Sequence, residues 1–266
     1  MTDGITVNST ASLNRSLTQL LINNELPGQP VTRFIVGLCE QCPKIIELRF
    51  RTYMPTANLN ERLKGKETIP PDLLTAAKET AIKAHISLWD ALACNMIRNG
   101  VELPGDLIAE ILAHPHGDWE RSFVLRRQEV LDGGISSLIA NIHTTEGLAL
   151  CSQVRTLDGH AEHIPMLDFA CARADANLAT ISAMLEAIGQ RGVVVYSGNS
   201  YHFVGATLLS NDEWVRFMGR ALLLAPFVDG RFIAHRLLDG ECCLRVFAQS
   251  KAPQTPLIES CIFRPG

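Results

Sequence analysis

Several things this chain does without narrow what it can be. No stretch approaches the ~18 consecutive apolar residues of a membrane-crossing helix, and the opening Met1-Thr2-Asp3-Gly4 has no basic segment followed by an apolar run of the kind that directs secretion. The expected location is therefore the cytoplasm. Neither sign of charge dominates: 24 Lys and Arg against 28 Asp and Glu leave a formal net charge of −4, with an isoelectric point near 6.1. Affinity for a nucleic-acid backbone comes from neutralised phosphates and released counterions, so any such surface must be local. The candidates are Arg121, Arg126 and Arg127, Lys64 and Lys66, and the group Arg231, Arg236, Arg245 and Lys251. There is no Walker-type loop, no Gly-x-Ser-x-Gly elbow, no dinucleotide fingerprint and no internal repeat.

What is present suits a globular protein. With 266 residues and 47% hydrophobic content, the chain can bury one large core or two smaller ones. Its eight cysteines are scattered, several within apolar strand patterns, as expected of reduced core thiols rather than a disulfide framework. Cys39-Glu40-Gln41-Cys42 has the spacing of half a zinc knuckle or a redox pair, but no second half follows. His114, His116 and Asp118, like His160 with His163, lack the helical spacing of a zinc pair and read as surface residues.

The N-terminal part is expected to be mainly helical over residues 1–115. Leu13 to Ile22, Val31 to Leu38, Pro71 to Asn99 and Gly105 to His114 read as helices or mixed segments, the longest carrying Leu73, Ala77, Leu88, Leu92 and Met96 on one side. Ile45 to Tyr53 alternates Ile46, Leu48 and Phe50 with Glu47, Arg49 and Arg51, as a strand does. Thr56 to Pro70 is the best internal loop, and His114 to Asp118 marks a seam between this part and a second domain over 116–266. Phe123 to Leu125, Leu138 to Ile142 and Leu148 to Val154 are apolar enough to extend a sheet there.

The C-terminal half has the more informative order. Met166 to Ala170 is a short apolar run holding Asp168. Leu178, Ile181, Leu185 and Ile188 repeat at helical spacing, with Asp175 or Asn177 as cap. Val193 to Tyr196 and Tyr201 to Val204 flank the turn Ser197-Gly198-Asn199-Ser200, which predicts a hairpin. Asn211 or Asp212 opens a second helix through Trp214, Phe217, Met218 and Leu222; Asp229 then returns a carboxylate towards the sheet, and Glu241 to Phe247 is the last strand. The expected fold class is α+β, an RRM-like or ferredoxin-like βαββαβ core with extra strands. Asp168 and His202 would share its open face, because residues at i and i+2 of a strand point the same way.

Leu167-Asp168-Phe169, the hairpin ending in Ser200-Tyr201-His202, Val228-Asp229, and Leu244-Arg245-Val246 followed by Lys251 and Pro253 together resemble the archaeo-eukaryotic primase superfamily, the primase-polymerases. The resemblance covers roughly the C-terminal half. It implies that Asp168 and Asp229 hold Mg²⁺ or Mn²⁺, that Ser200, His202, Arg245 and Lys251 contact the phosphates of a nucleoside triphosphate, and that Asp168, His202 and Asp229 form the catalytic group. Nucleic acid would be the other partner, with protein partners on the helical N-terminal region.

One position departs from the pattern. The first motif of that family has a second carboxylate two residues on, where this chain has Ala170. Two-metal phosphoryl transfer needs several carboxylates to hold ions about 3.5–4 Å apart. Asp175, Asp239 and Glu241 are within reach along the sequence, but the first reads as a helix cap and the others as part of the Asp239-Gly240 turn. Two readings follow: a primase-polymerase-like protein with weakened or lost nucleotidyl transfer, or a catalytically silent relative that senses nucleic acid or joins a larger assembly.

Overall fold

Alternation sets the pattern from the first strand. Between Ile45 and Tyr53 the inward residues Leu48, Phe50 and Thr52 are fully buried while Glu47, Arg49 and Arg51 stand on the other face. The computed structural model describes residues 16–54, 69–84, 86–102, 104–112, 119–248 and 254–263. Lys64, Lys66, His114, His116, Asp118 and Lys251 lie outside these residues.

The described elements run α1 (Leu17–Ile22), α2 (Val31–Gln41), β1 (Ile45–Tyr53), α3 (Pro71–Ala84), α4 (Leu88–Asn99), α5 (Gly105–Leu112), β2 (Trp119–Arg126), α6 (Arg127–Leu131), α7 (Gly134–Asn141), β3 (Gly147–Thr156), β4 (Ala161–His163), β5 (Met166–Asp168), α8 (Asp175–Ala187), β6 (Gly192–Tyr196), β7 (Tyr201–Gly205), α9 (Asn211–Leu222), α10 (Gly230–Asp239), β8 (Cys243–Arg245) and β9 (Leu257–Ile262). They make an α+β fold with two antiparallel sheets. One has the order β2-β1-β3-β4, with β8 also paired to β3; the other is β5-β7-β6-β9.

Strand β1 is central to the first sheet. Phe50 pairs with Phe123 of β2 on one side and Leu150 of β3 on the other. The main core joins this sheet to the second one and to the N-terminal helices, running from Leu17 and Phe34 through Phe50 and Leu150 to Val194, Phe203, Trp214 and Ile258. It crosses the seam expected near residue 115. Helices α3 to α5 form a smaller core of their own around Leu73, Ala77, Leu92, Met96 and Leu107.

The second sheet keeps the expected order for its first part. Strand β5, helix α8, the β6–β7 hairpin and helix α9 follow one another, and β7 lies between β5 and β6. The final strand differs. Strand β8 pairs with β3, aligning Ala149 with Arg245 and Cys151 with Cys243, and the edge of the second sheet beyond β6 is filled by β9. Three paired residues suffice to hold a strand this short where β3 has a free stretch beside β4, which occupies only residues 153–155 of β3.

Other differences have local causes. Pro71 to Asn99 is two helices, because Ser87 takes extended backbone and its hydroxyl accepts from the Asp90 N–H at 3.0 Å, starting α4 afresh. Leu138 to Ile142 lies largely in α7; Ile135 and Leu138 are buried at a spacing of three, a helical period that a short apolar run conceals. Helix α9 is capped by Ser210, reciprocated by Glu213, rather than by Asn211 or Asp212. His163, expected at the surface, is buried, stacked on Trp214 at 4.5 Å with its Nδ1 3.2 Å from the Ser152 hydroxyl, and burial pushes it down to about 4.

Candidate functional site

The hairpin Tyr196-Ser197-Gly198-Asn199-Ser200-Tyr201 places the site. Gly198 takes φ +106°, a region side chains rarely adopt, which closes the turn and lets the Ser197 N–H donate to the Ser200 carbonyl at 2.9 Å. Strand β7 then pairs with β5 so that His202 stands directly opposite Asp168. Opposite residues of an antiparallel pair share a face, so their side chains meet. The Ser200 hydroxyl donates to Asp168 Oδ1 at 3.3 Å, and His202 Nε2 lies 3.6 Å from the same oxygen.

Asp229 arrives by a different route. After α9 the chain returns so that Val228 bridges Phe169 and the Asp229 N–H donates to the Asp168 carbonyl at 2.9 Å. Asp229 Oδ1 accepts from the Arg231 and Phe232 N–H groups at 2.9 and 3.0 Å, capping α10. Thus the structure brings Asp168, Ser200, His202 and Asp229 to one place, on two strands and a helix start.

The electrostatics of this place are unusual. Crowding by protein and then the charge of Asp229 push the Asp168 carboxyl up, to about 8, against the opposing pull of the Ser200 hydroxyl and the Phe169 N–H. The side chain still keeps 29% of its surface open, which leaves an approach for a ligand. Burial and then the Arg245 cation hold His202 down, at about 3. His202 is therefore neutral near pH 7 and makes no ion pair with Asp168. Among the described residues, no cation figures in the groups acting on Asp168.

A hard divalent cation placed here would be held by oxygen donors. Asp168, the Asp229 oxygen not used by the helix cap, and the Ser200 hydroxyl are oxygen donors, and Mg²⁺ is commonly held by one or two carboxylates together with substrate phosphates. A cation would also relieve the carboxylate repulsion that raises Asp168. A second ion finds fewer ligands. Strand β5 ends at Asp168, and Ala170 lies beyond it, exposed, its N–H donating to the Phe227 carbonyl at 2.7 Å.

Ala170 faces an adjoining groove of about 450 Å³, lined also by Cys171, Asn177 and Phe227 and, from α4, by Ser87 and Asp90. Cys171 adjoins the carboxylate site: burial and then the Asp168 charge push its thiol up. Of these, Ala170 stands out in the sequence, whereas Ser87 and Asp90 do not. The contribution of α4 arises across some eighty residues of chain, and no local pattern announces it.

Arg245 reaches the same neighbourhood but is engaged. Its guanidinium donates to the carbonyls of Ser197, Phe247 and Gln254, tying β8 to the hairpin that carries Ser200 and His202. Other candidate cations are also occupied: Arg121 pairs with Glu146, Arg127 donates to the Cys39 carbonyl, Arg231 lies over Trp89 at 5.8 Å, and Arg236 pairs with Asp239.

Two carboxylates, a serine and a neutral histidine thus gather beside an antiparallel sheet of an α+β fold. Residues 128–256 match the family model AEP-like, described as archaeo-eukaryotic primase 1D-like, and this segment, with Asp168, Ser200, His202, Asp229, Arg245 and Lys251 inside it, is a divergent member of the archaeo-eukaryotic primase superfamily. No curated protein and no solved structure matches the chain.

Proposed function

We propose that the Asp168 cleft binds the triphosphate of a nucleotide, free or on a nucleic-acid end, together with one Mg²⁺ or Mn²⁺. The observation that carries this reading is the meeting of Asp168, Ser200, His202 and Asp229 around a carboxyl whose proton affinity is raised by burial and by a second carboxylate. A bound metal would neutralise phosphate charge and polarise the reacting phosphoryl group. Asp168 and Asp229 would hold it, Ser200 would orient Asp168 or a phosphate oxygen, and the neutral His202 would donate a hydrogen bond to a phosphate once Asp168 turns to the cation. Lys251 would add a positive charge from the segment that follows β8. The reaction class is nucleotidyl transfer of the primase type. The site of action is the cytoplasm, with helices α3 to α5 as the surface for protein partners; no helix among the described residues is long and apolar enough to cross a membrane.

A second reading is favoured by Ala170 and by the use of Asp229 as a helix cap. With one carboxylate absent and another partly committed, a second ion is poorly held and the developing charge on the leaving pyrophosphate is under-stabilised. The protein is then a catalytically silent primase-like subunit that senses nucleotide or nucleic acid.

Calorimetric titration of a nucleoside triphosphate with Mn²⁺ or Mg²⁺ tests the binding common to both readings, and undetectable binding by the unmodified chain removes both. Primer synthesis and extension on single-stranded templates separates them. Robust synthesis abolished by Asp168→Ala would show that another acid replaces the one missing at Ala170.

A further inference from the structure

On the first sheet, away from the Asp168 cleft, two thiols face each other. Cys151 of β3 and Cys243 of β8 are directly opposite in the antiparallel register, and their Sγ atoms are 3.3 Å apart. The pair lies at a non-hydrogen-bonded position. The Ser152 N–H donates to the Cys242 carbonyl and the Val246 N–H to the Leu148 carbonyl, so the bonded pairs are 152 with 242 and 148 with 246, and 151 with 243 falls between. At such positions the Cα atoms approach to about 4.5 Å, inside the range a disulfide spans.

Glu241 completes a cluster of three close donor groups, which raises the alternative of a soft metal ion. The distances argue against it. Two thiolates each about 2.3 Å from a tetrahedral zinc stand about 3.8 Å apart, wider than these sulfurs. Glu241 is also committed, its two oxygens accepting from Arg49 and Arg51 at 2.6 and 2.7 Å. A metal would have to compete with a guanidinium group at either oxygen.

We propose that Cys151 and Cys243 are an oxidation site, converted by a peroxide into a disulfide that staples β8 to β3. One sulfur, as thiolate, attacks the peroxide O–O bond and becomes a sulfenic acid as water leaves. The other sulfur attacks it, the S–O bond breaks, the S–S bond forms and a second water departs. Two thiols lose two electrons and two protons, and hydrogen peroxide is reduced to two waters. Both thiols are buried, so the reaction proceeds as the three-residue strand β8 opens locally. Arg245 stands two residues beyond Cys243, on the same face, and clamps the Ser197 carbonyl before Ser200 and His202. The staple therefore fixes the strand that holds this turn.

The test treats the purified native chain with hydrogen peroxide, alkylates the remaining thiols and maps the peptides by mass spectrometry. A Cys151–Cys243 linked peptide is expected, while Cys242, whose sulfur faces the Met166 carbonyl and Met218, remains alkylated. The melting temperature should rise by several degrees, reversibly with dithiothreitol, and the rise should be absent in Cys151→Ala. No linked peptide, or a link through Cys242, overturns the proposal. So does stoichiometric zinc in the freshly purified protein that Cys243→Ser removes. The linked peptide is read on the unmodified chain, so the answer does not depend on whether a variant folds.

Discussion

The two sheets treat their acidic residues in opposite ways. Beside the five-stranded sheet, Glu241 is buried and each of its oxygens meets an arginine, Arg49 on one side and Arg51 on the other. At the four-stranded sheet, Asp168 meets a second carboxylate, a hydroxyl and a neutral histidine. A buried charge is costly unless paired, so the first arrangement is balanced by its own residues, whereas the second sets one carboxylate against another. Charge compensation, more than the mere presence of acids, is what separates the two sites here.

The sharpest way to break this comparison is to remove each acid in turn. Glu241→Ala leaves two arginines facing a desolvated gap and should cost about 3 kcal/mol in urea unfolding. Asp168→Ala should cost almost nothing near pH 7.5, since the site disfavours the ionised carboxyl that the substitution removes. Equal losses would erase the distinction. Next in size is Mn²⁺ binding: Asp168→Asn should weaken it about 100-fold, roughly 2.7 kcal/mol, by calorimetry, while Glu241→Gln, if folded, leaves it unchanged. A Glu241 effect of the same size would place the cation at the wrong sheet.

The pH dependence follows in magnitude. Asp168 must lose its proton to take a cation, so Mn²⁺ affinity should rise towards tenfold per unit between pH 6 and its raised value near 8, and level above it. The stability linkage has the matching sign. The folded value lies above the unfolded one, so the contribution of Asp168 is full below about 4 and is lost as pH rises through 8. His202 runs the other way: held at about 3 against 6.5, it contributes stability above 6.5 that is lost as pH falls towards 3. Asp229→Asn keeps the helix cap but removes the neighbouring charge, so carbon-detected titration should show Asp168 moving down; an unmoved value would mean burial alone raises it. The smallest change is expected of Ala170→Asp, a several-fold gain in Mn²⁺ affinity at most, because that position lies beyond the end of β5 without groups to orient a carboxylate.

Much of the second sheet was legible before any coordinates. The hairpin around Ser197 to Ser200 has turn residues between β-branched runs, and the helices on either side carry apolar residues at helical spacing. That Asp168 and His202 would share a face followed from strand periodicity, while the Ser200 bond to Asp168 came only with the structure. Less legible were elements whose state depends on distant partners. Residues 138–142 read as a sheet-extending apolar run, whereas the core takes the helical face of Ile135 and Leu138. Strand β8 could be recognised as a strand, but its partner could not, because a three-residue strand carries no code for which edge it joins.

What the sequence by itself determined is local: which residues of a strand alternate, where the hairpin turns, and the order of Asp168, His202 and Asp229 along the chain, which resembles that of the primase superfamily. What only the tertiary structure decided is charge balance. Arg245 has the composition of a phosphate contact, yet the fold turns its guanidinium to three backbone carbonyls; Glu241 is an ordinary turn residue in sequence, yet β1 delivers two arginines to it. Asp229 both caps α10 and crowds Asp168. Electrostatic partners are set by distances between side chains far apart in the chain, and those distances exist only after the sheets have packed.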